Sequence, residues 1–160
     1  MTVVTSFPVF SMMCSGMGIG PKDTMHYAER LYLSGFVSYP RTETTSYPKG
    51  FDIKATLTAQ VRDSSWGQYA RNLVVNGWSK PRKGFDAGDH PPITPVSWAP
   101  PGRLSGNEKR IYEFIVRYFL ATVSPDCEID AISATFKLDD EVLFNSYFLH
   151  CACFAVPRLP

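Results

Sequence analysis

Charge is nearly missing from both ends of this 160-residue chain. No Asp, Glu, Lys or Arg precedes Lys22, and after Glu141 the only one is Arg158. The opening MTVVTSFPVFSMMCSG has no basic n-region and is broken by Pro8, so it makes a poor signal peptide. Long apolar runs are also lacking: none approaches the roughly 18–20 residues of a membrane span, and no membrane is expected. Cysteine is scarce, with Cys14 and Cys127 apart and Cys151 and Cys153 in one C-x-C pair. That pattern is neither a disulfide framework nor a zinc spacing, and it points to a reduced intracellular compartment. Net charge is only +1, so bulk attraction to nucleic acid or an anionic surface is not evident. Any such contact must come from a local patch. No internal repeat is visible.

What is present suits a globular core: 44 % hydrophobic residues and 14 % aromatics, in a length that fits one domain or a piece of a larger one. The uncharged ends read as tails, 1–17 and 145–160, of which 1–15 and 146–160 are expected to pack poorly. The middle reads as mainly α with a short β portion. DTMHYAERLYLSG predicts a helix over 24–35, with Asp23 or Thr24 as N-cap, an inward face of Met25, Ala28, Leu31 and Tyr32, and Gly35 as the stop. FVSY follows as a short β-prone run. Helices are predicted over 52–62 behind Asp52, over 65–76 before Asn76-Gly77, and over 107–123 with Ile111, Phe114, Ile115 and Tyr118 inward. Residues 78–106 are rich in Pro and Gly and read as a loop too long to be idle. Ile132, Ala134, Phe136 and Leu138 alternate with polar residues, a half-buried strand turning at Asp139-Asp140. Short helices in this arrangement suit a helix-turn-helix-like unit. Gly16, Gly18 and Gly20 fit neither phosphate-loop spacing and read as a linker. Tyr32, Trp66, Trp78 and Trp98 read as packing residues, Trp78 beside the basic loop being the best candidate for stacking on a base.

FVSYPRTETTSYP raises the chemical question. Pro40 forces Tyr39 into extended backbone and ends the run, so the tyrosine stands at its tip. Arg41, two residues on, leaves an extended chain on the same side. A phenol beside a guanidinium suits attack on a phosphodiester, because Arg holds two phosphate oxygens in a planar fork. Tyrosine, with a free pKa of about 10, needs local positive charge or a base to act as nucleophile. The plainer reading of a bare Tyr-Pro-Arg is a turn tyrosine packed on Pro40 with Arg41 in solvent.

KPRKGFDAGDHPPITP supplies a second signal. Lys80, Arg82 and Lys83 form a basic cluster suited to a phosphate backbone. His90, before a rigid Pro-Pro, can donate to a phosphate or move a proton. Asp86, Asp89 and His90 are also conceivable metal ligands, though so closely spaced a set makes a weak site. A solvated basic turn with an ordered surface loop explains the spacing equally well.

Together, AERLYLSGFVSYPRTETTSYP and the later KPRKGFDAGDHPPITP resemble type IA DNA topoisomerases of the topoisomerase III group, most like the beta form. The resemblance runs from about Gly18 to about Leu143. It implies that 18–124 is the tyrosine-bearing, helix-turn-helix-like domain and that 125–144 begins the adjoining arch domain. It further implies Tyr39 as the nucleophile that retains a 5′-phosphate, Arg41 as the stabiliser of the pentavalent phosphoryl group, and His90 on the scissile or a neighbouring phosphate. Single-stranded DNA is the implied partner, with RNA as a second candidate, alongside the enzyme's other domains and a protein partner of that group. Nuclear placement is implied, with the cytoplasm second.

The departures matter as much. In that family a Toprim domain supplies a Glu and an Asp-x-Asp set for Mg²⁺, and no acidic residue precedes Asp23 here. Mg²⁺ is therefore expected for the complete enzyme, with its ligands not in this chain, and no ATP. The cysteine-rich zinc modules of some members are also absent. The reading is a partial topoisomerase, impaired alone. The alternative is a non-catalytic single-stranded nucleic-acid-binding module working through Arg41 and Lys80, Arg82 and Lys83.

Overall fold

The computed structural model describes residues 14–81, 84–126, 129–138 and 141–151. Most of both expected tails, the Asp139-Asp140 turn, Arg82 and Lys83 lie outside the described residues. The described chain is mostly helical, with helices α1 (Pro21–Leu33), α2 (Ile53–Gln60), α3 (Gly67–Asn76) and α4 (Gly106–Thr122) and a hairpin of β1 (Ile129–Leu138) and β2 (Glu141–Cys151).

Helix α1 begins earlier than its polar residues suggest. Gly20 is the N-cap and Pro21 the first helical residue, where proline has no needed N–H to lose and its φ is already helical. Thr24 is consequently buried in the first turn, its hydroxyl donating to the Gly20 carbonyl at 3.0 Å. Asp23 stays in that turn, favourable to the helix dipole. The helix ends as expected at Gly35, whose φ of 76° lets the Phe36 N–H reach back to the Leu31 carbonyl at 2.9 Å. Ile19, just ahead of α1, is buried, so the glycine-rich stretch is anchored to the core rather than a free linker.

Asp52 caps α2 by accepting the Ala55 N–H at 2.8 Å. Helix α2 packs on α3 and α1 on α4. Gly67 opens α3 because a Cβ there would lie 2.3 Å from the Val61 carbonyl oxygen. The inner face of α4 is rotated from the expected one: Tyr112, Val116, Phe119 and Leu120 join Ile111 and Ile115 inside, while Phe114 and Tyr118 are only partly covered. Each fully buried Leu or Phe of this core contributes roughly 1.5–3 kcal/mol. Tyr112 also fastens the long loop, its one hydroxyl proton shared between the Ser97 carbonyl at 2.9 Å and Gln60 Oε1 at 3.2 Å. Trp66 adds its indole N–H to the same Gln60 oxygen.

The two strands pair antiparallel with Ile132 opposite Phe148 and Thr135 opposite Asn145, and a bulge falls at Phe136/Lys137. The second strand carries residues 145–151 within the ladder, where the sequence reading placed the start of a tail. Ile132, Tyr147 and Phe148 remain exposed.

Candidate active site and nucleic-acid interface

Two segments far apart in sequence are zipped together by backbone pairing. Val37 forms an antiparallel bridge with Pro95. Ser38 N–H donates to the Thr94 carbonyl and Val96 N–H to the Phe36 carbonyl, both at 2.9 Å. The Ser38 hydroxyl adds a second layer, donating to the Pro92 carbonyl at 3.0 Å and accepting from Thr94 N–H at 2.8 Å. Further along, Thr45 N–H donates to the Phe85 carbonyl at 2.6 Å. Gly84 permits this approach, since a Cβ there would sit 2.4 Å from the Thr45 carbonyl oxygen.

Pro40 has no N–H to continue the pairing, so Tyr39 leaves the end of the bridged segment. Its half-buried ring lies between two others. The Tyr32 ring meets it edge-on, with centroids 5.2 Å apart and planes at 72°. The His90 ring lies 4.5 Å away, tilted by 55°. Among the described residues the Tyr39 hydroxyl has no hydrogen-bond partner, so its lone pairs stay available to a substrate. Tyr39 and His90, the two residues of this set that sequence placed in separate motifs, are brought together.

Arg41 is placed differently. Its Nη2 donates to Glu29 Oε1 on α1, and both side chains are substantially exposed. The guanidinium is therefore already committed to a carboxylate, a group of the same charge and fork geometry as a phosphate edge.

Asp89 joins the two motifs. Its Oδ1 accepts the Thr44 hydroxyl at 2.8 Å and the Thr42 hydroxyl at 3.4 Å, and its Oδ2 accepts the Glu43 N–H at 3.4 Å. The His90 N–H, then the Thr44 hydroxyl, lower the Asp89 pKa to about 2. The Thr42 hydroxyl shares its one proton between Asp89 and the nearer His90 carbonyl, at 2.9 Å, and Thr44 accepts the Ala87 N–H at 3.1 Å. Both threonines are buried.

The carboxylates nearest these residues already have partners. Asp86 Oδ1 accepts the Gly88 N–H at 2.9 Å, Asp89 is taken by threonines, and Glu29 by Arg41. Among the described residues no group of three or more His, Cys, Asp or Glu side chains is placed to hold a metal ion. As placed, these described residues do not by themselves make a Mg²⁺ site.

Of the basic cluster, Lys80 is exposed, next to Ser79, whose N–H is tied to the Val123 carbonyl at 2.8 Å. Arg82 and Lys83 lie outside the described residues. Trp78 is 36 % exposed, whereas Phe85, which the sequence reading passed over, is 66 % exposed. Glu29 and the joining role of Asp89 were also missed. The alternation Thr42-x-Thr44 was the available signal, because two hydroxyls on one side of an extended chain invite a shared acceptor. Tyr47, the nearby alternative tyrosine, is buried and shares a 2.8 Å hydrogen bond with the Thr122 hydroxyl. Burial pushes its pKa up to about 12.

The stretch of chain that carries Tyr39, Arg41 and His90 falls within a match to a known family. The family model described as DNA topoisomerase matches residues 10–147, and the chain belongs to that family. Its likeness is to type IA topoisomerase III of the beta kind. It is 47 % identical to DNA topoisomerase 3-beta-1 of Homo sapiens over 128 residues, 80 % of this chain and 15 % of that protein. It is 50 % identical to DNA topoisomerase 3-beta of Arabidopsis thaliana over 114 residues, 71 % of this chain and 13 % of that protein. Identity to DNA topoisomerase 3-alpha of Mus musculus is 42 % over 111 residues, 69 % of this chain and 11 % of that protein. The chain thus spans about 15 % of the length of the beta relatives from human and mouse.

Proposed function

We propose that this chain supplies the tyrosine-bearing, helix-turn-helix-like part of a type IA topoisomerase and that Tyr39 is its nucleophile. The observation that carries this is the Tyr39 ring set 4.5 Å from His90 by the pairing of the two motif segments. In the proposed step the Tyr39 phenolic oxygen attacks the phosphorus of a single strand. The bond from phosphorus to the 3′-oxygen breaks, and the phenolic proton leaves to a base or to solvent. The departing 3′-oxygen takes up a proton and becomes a hydroxyl. The new phosphotyrosine ester keeps the energy of the bond it replaced, so the 3′-hydroxyl reseals the strand without ATP.

Arg41 serves by exchanging Glu29 for two phosphate oxygens, where preorganised charge counts most as the phosphorus becomes five-coordinate. His90 orients the phosphate or carries the proton of the leaving oxygen. Mg²⁺ belongs to the complete enzyme and would be held by groups other than the described residues. Single-stranded DNA is the proposed substrate and RNA the comparison. A protein partner of the topoisomerase III group, and nuclear placement with the cytoplasm second, belong to the same proposal.

The commitment of Arg41 to Glu29 favours a second reading, a strand-binding module without chemistry. Mixing the chain with 5′-labelled and 3′-labelled single strands, with Mg²⁺ and a separately added Toprim domain, separates the two. A covalent adduct on the 5′-phosphate side supports the nucleophile. Salt-sensitive binding with no adduct supports the module.

A further inference from the structure

Phe85 is an aromatic ring left in solvent on a backbone hydrogen-bonded to Thr45. Its ring is 66 % exposed. Its carbonyl accepts from both the N–H and the hydroxyl of Thr45, and its N–H donates back to the Thr45 hydroxyl. The preceding Gly84 lies against the Thr45 carbonyl too closely for any side chain. A single exposed phenylalanine on a pliant loop would be ordinary. This one is fixed to the segment that carries Tyr39 and Arg41, and it stands five residues before His90. Five extended residues reach at most about 18 Å. The ring therefore lies within a few nucleotides of any phosphate held at Tyr39.

We infer that Phe85 is a stacking platform for one unpaired base of the strand whose backbone lies at Tyr39 and Arg41. Stacking asks for a π face of fixed orientation and no hydrogen-bond code, so it tolerates every base. A hydrogen-bonded backbone reduces the ordering cost of presenting the ring, which is how preorganisation raises affinity. Trp78 offers less of its ring, at 36 % exposure. The inference rests on the strand-binding part of the proposed function, and it adds a contact that carries no charge.

That absence of charge gives the test. Binding of the full 160-residue chain to a fluorescently labelled single strand is measured across a salt series. Phe85→Ala should weaken binding by roughly tenfold at every salt concentration, and the slope of affinity against salt should not change, because no phosphate contact is lost. Phe85→Leu keeps an apolar side chain without a π face and should lose nearly as much. Phe85→Trp should bind as well as the parent or better. A 2-aminopurine placed successively along the strand should lose fluorescence on binding at one position, and regain it in Phe85→Ala. Phe85→Leu binding like the parent overturns the inference, and so does a flattened salt slope in Phe85→Ala. No binding by the parent chain overturns the inference together with the strand-binding part of the proposed function. Binding that ignores Phe85 overturns only the inference. Circular dichroism of each variant should match the parent, since the substituted ring packs against little.

Discussion

The Thr44 hydroxyl donates to Asp89 at 2.8 Å, and this contact fastens the segment that carries Tyr39 to the loop that carries His90. Asp89 is itself exposed, yet the groups it holds on the other side, Thr42 and Thr44, are buried. The joint is therefore a surface carboxylate gripping a buried edge, with water free to compete on one side.

Its pH dependence follows from the direction of the shift. A carboxyl that titrates near 4 when unfolded and at about 2 when folded binds fewer protons in the folded state between those values. Its contribution is thus fully present above about pH 4 and is lost as pH falls toward 2. Amide exchange of residues 42–45 and 85–90, followed from pH 5 to pH 2, should speed up beyond its intrinsic rate over that window. Asp89→Asn should exchange faster at pH 6 and gain little more on acidification. Protection that ignores pH in the parent chain would remove Asp89 from this role.

The pairing of Arg41 with Glu29 leads to a different expectation. Exposed ion pairs contribute about 0–1 kcal/mol, and these side chains are 60 % and 39 % exposed. Glu29→Gln should leave the thermal midpoint within a degree or two. It should tighten single-strand binding by a few-fold, because the phosphate no longer competes with a carboxylate for the guanidinium. Arg41→Ala should reverse that gain, and in the assembled enzyme should cost roughly 10²–10³ in cleavage rate. Weaker strand binding in Glu29→Gln would mean that Glu29 aims Arg41 rather than occupying it.

Much of this was legible because it is local. Asp52 ahead of Ile53, and Gly35 and Gly77 behind their helices, are short-range signals, and the chain obeys them. Pro21 was overlooked because Asp23 and Thr24 look like better caps, although a proline at the first helical position outranks them. The face of α4 was misjudged because that helix is packed on a wide arc, so a narrow stripe through Phe114 and Tyr118 picks one flank of it. Strand β2 escaped notice because residues of both its faces are apolar, which hides the period of two. The meeting of Tyr39 with His90 could not come from spacing at all. It depends on the Val37–Pro95 bridge, between a short β-prone run and a long loop that no local pattern pairs.

The basic loop makes its own prediction. Replacing Lys80, Arg82 and Lys83 together by alanine should reduce the salt slope of single-strand binding by about 2, at roughly 0.7 per phosphate contact. This is the opposite signature to that of Phe85, where affinity falls and slope holds. An unchanged slope in the triple variant would take this loop off the strand's backbone.

Two tyrosines compete for the role of nucleophile. Tyr39 and Tyr47 lie in the same thirteen-residue stretch, FVSYPRTETTSYP, and each precedes a proline. Their surroundings differ. Tyr47 is buried, shares its hydroxyl with Thr122 at 2.8 Å and stacks on Phe51 with centroids 4.9 Å apart. Burial holds its phenol protonated up to about pH 12, which suits a core tyrosine and disables a nucleophile. Because that folded value lies above the ordinary one of about 10, the stability it brings is complete below pH 10 and is lost as pH rises toward 12. Tyr39 has a half-buried ring held between Tyr32 and His90 and a hydroxyl unclaimed among the described residues. Tyr39→Phe should therefore leave folding and strand binding intact and abolish the 5′-phosphotyrosine adduct in the assembled enzyme. Tyr47→Phe should keep the adduct and lower stability by about 0.5–1.5 kcal/mol, the usual worth of one buried hydrogen bond. Peptide mapping of the adduct reads the outcome directly. A full yield of adduct from Tyr39→Phe, or its disappearance in a stably folded Tyr47→Phe, would move the chemistry away from Tyr39.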